Sequence, residues 1–359
     1  MKKIAVLPIS LFAALALTAC GDDSSSGPDN TTPSSGIEQP GSSDILPGSS
    51  SDVTPDIPGS SALPTETSSS STESVGPSVE FTTEAVNVPD MGCVSEALPA
   101  NIASGVKITC NEKYAGNILD DSDPTPFDPN AAAYTNFVGI QKIFATLQPT
   151  DKAVFIMRHA DRTSTAEGGL LTGLGYQQAI AVGKKIASTE EVKFWHSEIE
   201  RTLQTCMGIA QGRGQTTISH MALADLNGGW FEKDNAKIEE YKTTTNNYDV
   251  ISRWAYNDYI DPAENFDEGF YDLMERGAQF MNEIILAQVA PQSRISVVIS
   301  HDQMLYPLTV FATNRLMDMK HHEDMSWLNF LAGVAVIIHA DGSVKYVPVM
   351  GLDEGNASA

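Results

Sequence analysis

An α/β fold, built as a three-layer α/β/α sandwich, is what this sequence predicts, and three stretches carry the prediction. Ala153-Val154-Phe155-Ile156-Met157 and Ile295-Ser296-Val297-Val298-Ile299-Ser300 are short apolar runs of the kind that form buried strands. Each gives way to helical periodicity. Thr172 can cap a helix running to 186, and Leu305-Tyr306-Pro307-Leu308 opens another over 303–317. Between them, 191–197 reads as a strand. Leu203, Cys206, Met207 and Ala210 then recur at helical spacing, with Ser197 as a candidate N-cap. Strands alternating with helices in this way make one open α/β sheet covered on its faces.

The other elements follow in chain order. Met1-Lys2-Lys3, the apolar stretch 4–17 and Thr18-Ala19-Cys20 read as a signal peptide over 1–19, too short for an ordinary membrane span. Leu17-Thr18-Ala19-Cys20 resembles a bacterial lipobox. That implies a lipidated Cys20 and a protein anchored in the bacterial cell envelope, on the periplasmic or cell-surface side, through several acyl chains. From Cys20 to residue 80 the chain is rich in Ser, Pro, Thr and Gly, with ten acidic residues and no Lys or Arg. It carries too little apolar surface to offset ordering entropy, so it reads as a disordered tether spanning about 40–50 Å on average.

Residues 81–130 read as a small N-terminal extension. Cys93 and Cys110 bracket β-like segments, and in an oxidising envelope they are expected to form a disulfide, which leaves Cys206 over and buried on its helix. Asp120-Asp121-Ser122-Asp123 lacks the Gly and the terminal Glu of a calcium loop and reads as a polar turn. The main domain is expected over 131–352. Phe137, Val138, Ile140, Ile143, Phe144 and Leu147 have helical spacing ahead of the first strand. Residues 232–265 look like a small insertion over the site, aromatic through Tyr241, Tyr248, Trp254, Tyr256 and Tyr259, with Trp230 and Phe231 at its leading edge. Those rings either pack a cap or line a pocket. A further helix is expected over 270–287. Strands at 334–339 and 344–349 flank Asp341-Gly342, a hairpin signal.

The formal net charge is −24, with 22 Lys and Arg against 46 Asp and Glu. Such a chain repels nucleic acid and has no basic stripe to bind it. Against that background Arg158-His159-Ala160-Asp161-Arg162 stands out, placed where the first strand ends. Open α/β sheets put their sites at that edge. Two guanidiniums beside an imidazole are costly to bury unless an anion joins them. A phosphate dianion fits the arginine fork, and the imidazole can then serve as a nucleophile. Arg201 falls in the first turn of its helix, where a cation opposes the helix dipole but can help hold an anion. The third strand ends in His301-Asp302, a second strand-terminal histidine.

At this point the sequence resembles the histidine phosphatase superfamily over roughly residues 150–340. The resemblance rests on Phe155-Ile156-Met157-Arg158-His159-Ala160, Leu171-Thr172 with Gly175 and Gln178-Ala179, Ser197 with Arg201-Thr202 and Gln204-Thr205, Ser300-His301, and Trp327-Leu328-Asn329-Phe330-Leu331-Ala332-Gly333. Ala160 stands where the family has glycine. The resemblance implies a phosphoglycerate mutase-like fold and a phosphohistidine formed on His159. It also implies a phosphate site made of Arg158, Arg162 and Arg201 with His301 as a further donor, and no cofactor or metal. The general acid is open between Asp225, in a block like that of the mutase-like branch, and Asp302, which follows His301 as in the acid phosphatase branch. A shorter Asp in place of Glu at 225 requires closer backbone approach. Asp161 is a candidate partner for Arg162.

His321-His322-Glu323-Asp324 is the one other candidate metal cluster and reads as a solvated loop. The expected activity is metal-independent hydrolysis of a small phosphomonoester. The alternatives are a phosphoryl-transfer mutase, or a surface binding protein that keeps the fold without catalysis. The oligomeric state is not legible.

Overall fold

Strands β1 to β13 and helices α1 to α8 are described in a computed structural model covering residues 79–358 apart from 103, 112–113, 120–126, 167 and 260–265. The expectations for the signal peptide, Cys20, the tether and Asp120–Asp123 lie outside the described residues. In order, the chain forms β1 (Thr82–Ala85), β2 (Cys93–Ala97), β3 (Gly105–Cys110), β4 (Tyr114–Leu119), β5 (Val138–Gly139) and α1 (Ile140–Thr146). There follow β6 (Lys152–Arg158), α2 (Gly173–Lys185), β7 (Val192–His196), α3 (Glu200–Gly212), β8 (Thr217–Ala222), α4 (Asn235–Tyr241) and α5 (Asn247–Tyr256). Next come α6 (Leu273–Gln279), β9 (Ile295–Ser300), α7 (Asp302–Ala312), α8 (His321–Asp324), β10 (Ser326–Leu328), β11 (Ala332–Ile338), β12 (Val344–Met350) and β13 (Asn356–Ser358).

The main sheet has eight strands in the order β1-β8-β7-β9-β6-β11-β12-β5. In its middle, β8, β7, β9 and β6 run parallel, and β11 closes antiparallel on β6. Successive side chains of a strand point to opposite faces, and the two cores show it. Val154 and Ile156 of β6 join α7 and α5 residues on one face, while Ala153, Phe155 and Met157 join α2 and α3 residues on the other. The predicted three-layer sandwich is what the structure has.

The topology then places the site. From β6 the chain leaves across one face through α2, whose Tyr176, Ala179 and Val182 lie in one core; from β9 it leaves across the other through α7, whose Met304, Leu305 and Leu308 lie in the opposite core. Because β6 and β9 are adjacent, a crevice opens between their carboxyl ends, the place where doubly wound sheets bind ligands. His159 follows β6 and His301 follows β9.

Several boundaries differ from the sequence reading. At the start of the extension over 81–130, β1 pairs antiparallel with β8 as the edge of the main sheet. Further on, β2-β3-β4 form a three-stranded sheet, in which Cys93 and Cys110 are paired across strands and joined by a disulfide, as expected. It packs through Ile108 and Ile118 on Leu174 and Ala181 of α2. The helix expected from Phe137 begins at Ile140, since Val138–Gly139 pairs with β12. The helix expected over 270–287 starts at Leu273 and continues from Phe280 to Val289 with π-helical hydrogen bonding. That expected over 303–317 ends at Ala312, because Asn314 and Arg315 take positive φ of 49° and 61°. The described part of the 232–265 insertion, with its leading edge, packs on the domain: Trp254 stacks on Phe270 at 4.5 Å, and Phe231, Trp254 and Tyr256 are buried in the same core as α7. Cys206 is free and buried. Among the described residues no helix is long and apolar enough to cross a membrane.

Candidate active site

The chain turns sharply after β6, and its backbone is held at each step. His159 N–H donates to the Ser300 carbonyl of the neighbouring strand at 3.0 Å, and Ala160 N–H to Thr205 Oγ1 at 3.1 Å. Asp161 N–H reaches Gln178 Oε1 at 3.1 Å, and its carboxylate accepts from Thr172 Oγ1 at 2.6 Å. Burial pushes the Asp161 carboxyl up, opposed by the Thr172 bond and by the Arg158 and Arg162 charges. Thr172 caps α2 by accepting from Gly175 N–H at 2.9 Å, and a Cβ on Gly175 would lie 2.1 Å from the Asp161 carbonyl oxygen. Glycine is therefore required there by close backbone approach.

This clamp leaves His159 fully buried, with its Nδ1 2.8 Å from the carbonyl oxygen of Ala160. A carbonyl only accepts, so Nδ1 carries the proton and Nε2 carries the lone pair. That Nε2 is buried and has no hydrogen-bond partner. Burial holds the imidazole well below its ordinary pKa, helped by His301 and by the Arg158, Arg201 and Arg162 charges, so it is neutral. Its ring meets that of His301 edge-on at 5.3 Å.

Arg158 is fixed on three sides. One Nη donates to the Leu328 carbonyl, the other pairs with Asp302 at 2.8 Å, and the guanidinium lies 4.3 Å over the Phe330 ring. Asp302 also accepts from Trp327 Nε1 at 3.2 Å, and Trp327 is stacked on Tyr306 at 4.0 Å. Burial alone would raise the Asp302 carboxyl, but Arg158, Arg162 and the indole donor outweigh it and hold the group low, as a carboxylate. Arg201 sits in the first turn of α3, buried, with an Nη donating to the Ala166 carbonyl at 3.2 Å and the other 3.4 Å from His301 Nδ1. Arg162, half-buried, bridges to Leu171 through its backbone. His301 Nε2 is 2.8 Å from Ser197 Oγ.

The structure thus brings Arg158, His159, Arg162, Arg201, His301 and Asp302 together at the ends of β6 and β9. Asp225 is elsewhere in kind: it is exposed, on a 3₁₀ turn whose next residue, Leu226, accepts the Ser300 hydroxyl at 2.7 Å. That bond brings the Asp225 turn against the end of β9. Ser197 is not the N-cap of α3, which is Ile199; its hydroxyl instead accepts Ile199 N–H at 3.1 Å and faces His301. Trp327 had been read only as part of the closing block. Its bond to Asp302 depends on a fold of the chain back over α7, for which an indole in the sequence is no signal.

The 321–324 segment is a short helix, not a solvated loop. His321 is buried with Nδ1 2.7 Å from Asp249, and His322 bonds Ser252 through Nδ1 (2.8 Å) and Asp258 through Nε2 (3.2 Å). Asp258, His322 and Glu323 bring ligand atoms within 4.8 Å of one another, but Lys320 Nζ already bridges Glu323 at 2.7 Å and Asp258 at 3.5 Å. A cavity of about 550 Å³ opens among 135–137, 317–326 and 350–358 and shares no residue with the His159 cluster.

The pattern that defines the histidine phosphatase superfamily (branch 1) matches residues 154–343, more than half of the chain. The chain belongs to that superfamily, and its chemistry is of the phosphatase or mutase class. Comparison with curated proteins finds no match. Among solved structures, a mycobacterial glucosyl-3-phosphoglycerate phosphatase is 13% identical, with a TM-score of 0.36, over 56% of this chain and 99% of its own. A phosphoglycerate mutase from Bacillus anthracis is 13% identical, with a TM-score of 0.38, over 57% and 94%.

Proposed function

We propose that the protein is a phosphatase that hydrolyses small phosphomonoesters through a phosphohistidine on His159, held in a bacterial envelope by a lipid on Cys20. The observation that supports this reading best is the His159 ring, with Nδ1–H held by the Ala160 carbonyl and an unpartnered Nε2 lone pair beside three arginines. Nε2 attacks phosphorus, the ester P–O bond breaks, and Asp225 gives its proton to the leaving alkoxide. Water then attacks the phosphohistidine, and the Asp225 carboxylate takes the water's proton as phosphate forms. Arg158, Arg162 and Arg201 balance the charge on the equatorial oxygens throughout.

Asp225 is favoured over Asp302 because Asp302 is tied to Arg158 as a carboxylate and has no proton to give. The mutase reading differs only in the acceptor of the second step, a substrate hydroxyl in place of water. Mixing with a ³²P-labelled ester and quenching in alkali should leave base-stable, acid-labile label on the chain, and inorganic phosphate should appear with turnover. His159→Ala should lose both label and turnover. Label that persists in His159→Ala would remove His159 from the role, and phosphate transfer to a second substrate molecule without release would favour the mutase.

A further inference from the structure

Proton counting around His301 goes a step further. Thr202 Oγ1 lies 2.7 Å from the Ile199 carbonyl oxygen and 3.1 Å from the Ser197 carbonyl oxygen, and since carbonyls only accept, the Thr202 proton is committed to them. Thr202 has no other proton, so in its 3.0 Å contact with Ser197 Oγ the Ser197 hydroxyl is the donor. The Ser197 proton is then spent. Its oxygen accepts from Ile199 N–H and, at 2.8 Å, from His301 Nε2, which must therefore be protonated. The other nitrogen agrees: Nδ1 faces Arg201 Nη2 at 3.4 Å, and a guanidinium can only donate. Resting His301 is neutral, with its lone pair turned toward the arginine of the site.

That arrangement accepts a cation and would repel the oxygen of a phosphate. We propose that Ser197 is the positioning residue that holds His301 as the Nε2–H tautomer, so that a tetrahedral dianion entering the site is bound together with one proton, taken from solvent onto Nδ1. This rests on the reading of the cluster as a phosphate site. The same Ser197 oxygen serves the imidazole before and after protonation, since Nε2–H is present in both, so the new proton has one place to go. The groups facing His301 are Arg201 from α3, Arg158 at the end of β6, Arg162 and His159 from the following turn, and Asp302 at the start of its own helix. Burial and the guanidiniums keep the His301 imidazole neutral; a dianion among them would reverse that balance.

Sulfate is the probe, because it stays a dianion across the neutral range and any proton bound must be the protein's. Titrating sulfate into the full chain by calorimetry, in buffers of different ionisation enthalpy at one pH, reads the protons taken up. One proton per sulfate is expected in the parent and in His159→Ala, with affinity falling about tenfold per pH unit as pH rises through the window of uptake. Ser197→Ala removes the acceptor for Nε2–H and should weaken sulfate by about ten- to hundredfold while cutting the proton uptake; Ser197→Thr should restore both. Imidazole ¹⁵N spectra of the parent give a reading independent of any variant's folding: Nδ1 of His301 unprotonated in the free protein, protonated with sulfate.

Sulfate bound without proton uptake, full uptake retained in folded Ser197→Ala, or uptake lost in His159→Ala would each overturn the inference and leave the phosphate site standing. Failure of both sulfate and inorganic phosphate to bind would instead overturn the phosphate-site reading, and this inference with it.

Discussion

Two pairs of histidines occupy neighbouring parts of the fold, and among the described residues one lies chiefly among carboxylates and the other chiefly among guanidiniums. His321 and His322 each face a carboxylate, Asp249 and Asp258, and Lys320 settles between Asp258 and Glu323. Each of these histidines, and the lysine, has a carboxylate within reach. Around His159 and His301, Arg158, Arg162 and Arg201 outnumber Asp161 and Asp302 among the described residues, in a setting where Arg158, Arg201, His159 and Asp302 are all nearly inaccessible. Guanidiniums gathered in so enclosed a place favour an anion beside them. On the proposed function, a histidine pair of the first kind is explained by the stability it adds, and one of the second kind by the anion it would receive. The difference lies in the local balance of charge, not in the number of imidazoles.

The sharpest way to test that contrast is to ask where the proton for the leaving group comes from. If the cation-rich cluster commits Asp302 to Arg158, the acid must stand outside it, at Asp225. Asp225→Asn should then slow esters with poor leaving groups by about 10²–10⁴-fold while barely affecting p-nitrophenyl phosphate, whose phenolate departs unaided. Asp302→Asn should lower both substrates alike, since it loosens Arg158. Steady-state rates on an alkyl and a nitrophenyl ester, with EDTA present, decide it. A leaving-group dependence that follows Asp302 would move the acid there and make the ion pair with Arg158 a resting-state contact only.

A smaller effect tests the cost of burying the two imidazoles among these cations. The His159 and His301 imidazoles are held below their ordinary pKa, chiefly by burial and then by the surrounding cations. Below about pH 6.5 the unfolded chain therefore binds protons that the folded chain refuses. Their contribution to stability is intact above that pH and is lost as pH falls, by about 1.4 kcal/mol per pH unit for each group. Urea unfolding between pH 7 and 5 should show this slope reduced by about that amount in His159→Asn. Sulfate should flatten it in the parent. A slope unchanged by His159→Asn would mean that the cluster does not hold its imidazoles neutral.

Much of this was legible in the sequence because strand ends in α/β folds are marked by composition. The apolar runs before His159 and His301 fixed both residues to the carboxyl edge of the sheet, and helical spacing after Ser197 put Arg201 in a first turn. Legibility failed wherever the answer depended on contacts distant along the chain. Val138–Gly139 has helical spacing with its neighbours, but pairing with β12 overrides it. Thr82–Ala85 carries no apolar signal, being exposed along its length, and is a strand because β8 offers an open edge. Likewise, His321 and His322 look solvated until α5 supplies Asp249 and Ser252, and the turn after it Asp258, from some 70 residues earlier.

That last pair supplies the smallest effect and the control for the comparison. His322→Ala removes a side chain only 3% exposed and its bonds to Ser252 and Asp258. Ser252, itself buried, keeps its 2.9 Å contact with the Tyr306 hydroxyl, so it is not stranded. The loss is then that of one or two hydrogen bonds with some packing, about 1–2 kcal/mol in urea unfolding. Turnover of p-nitrophenyl phosphate should be unchanged, because the balanced pair holds α5 to α8 and touches none of the arginines described around His159. The effect on stability and the absence of one on rate belong together. If His322→Ala instead lost activity at full stability, charge balance would no longer separate a structural histidine pair from a chemical one, and the 320–325 turn would have to be counted as part of the site.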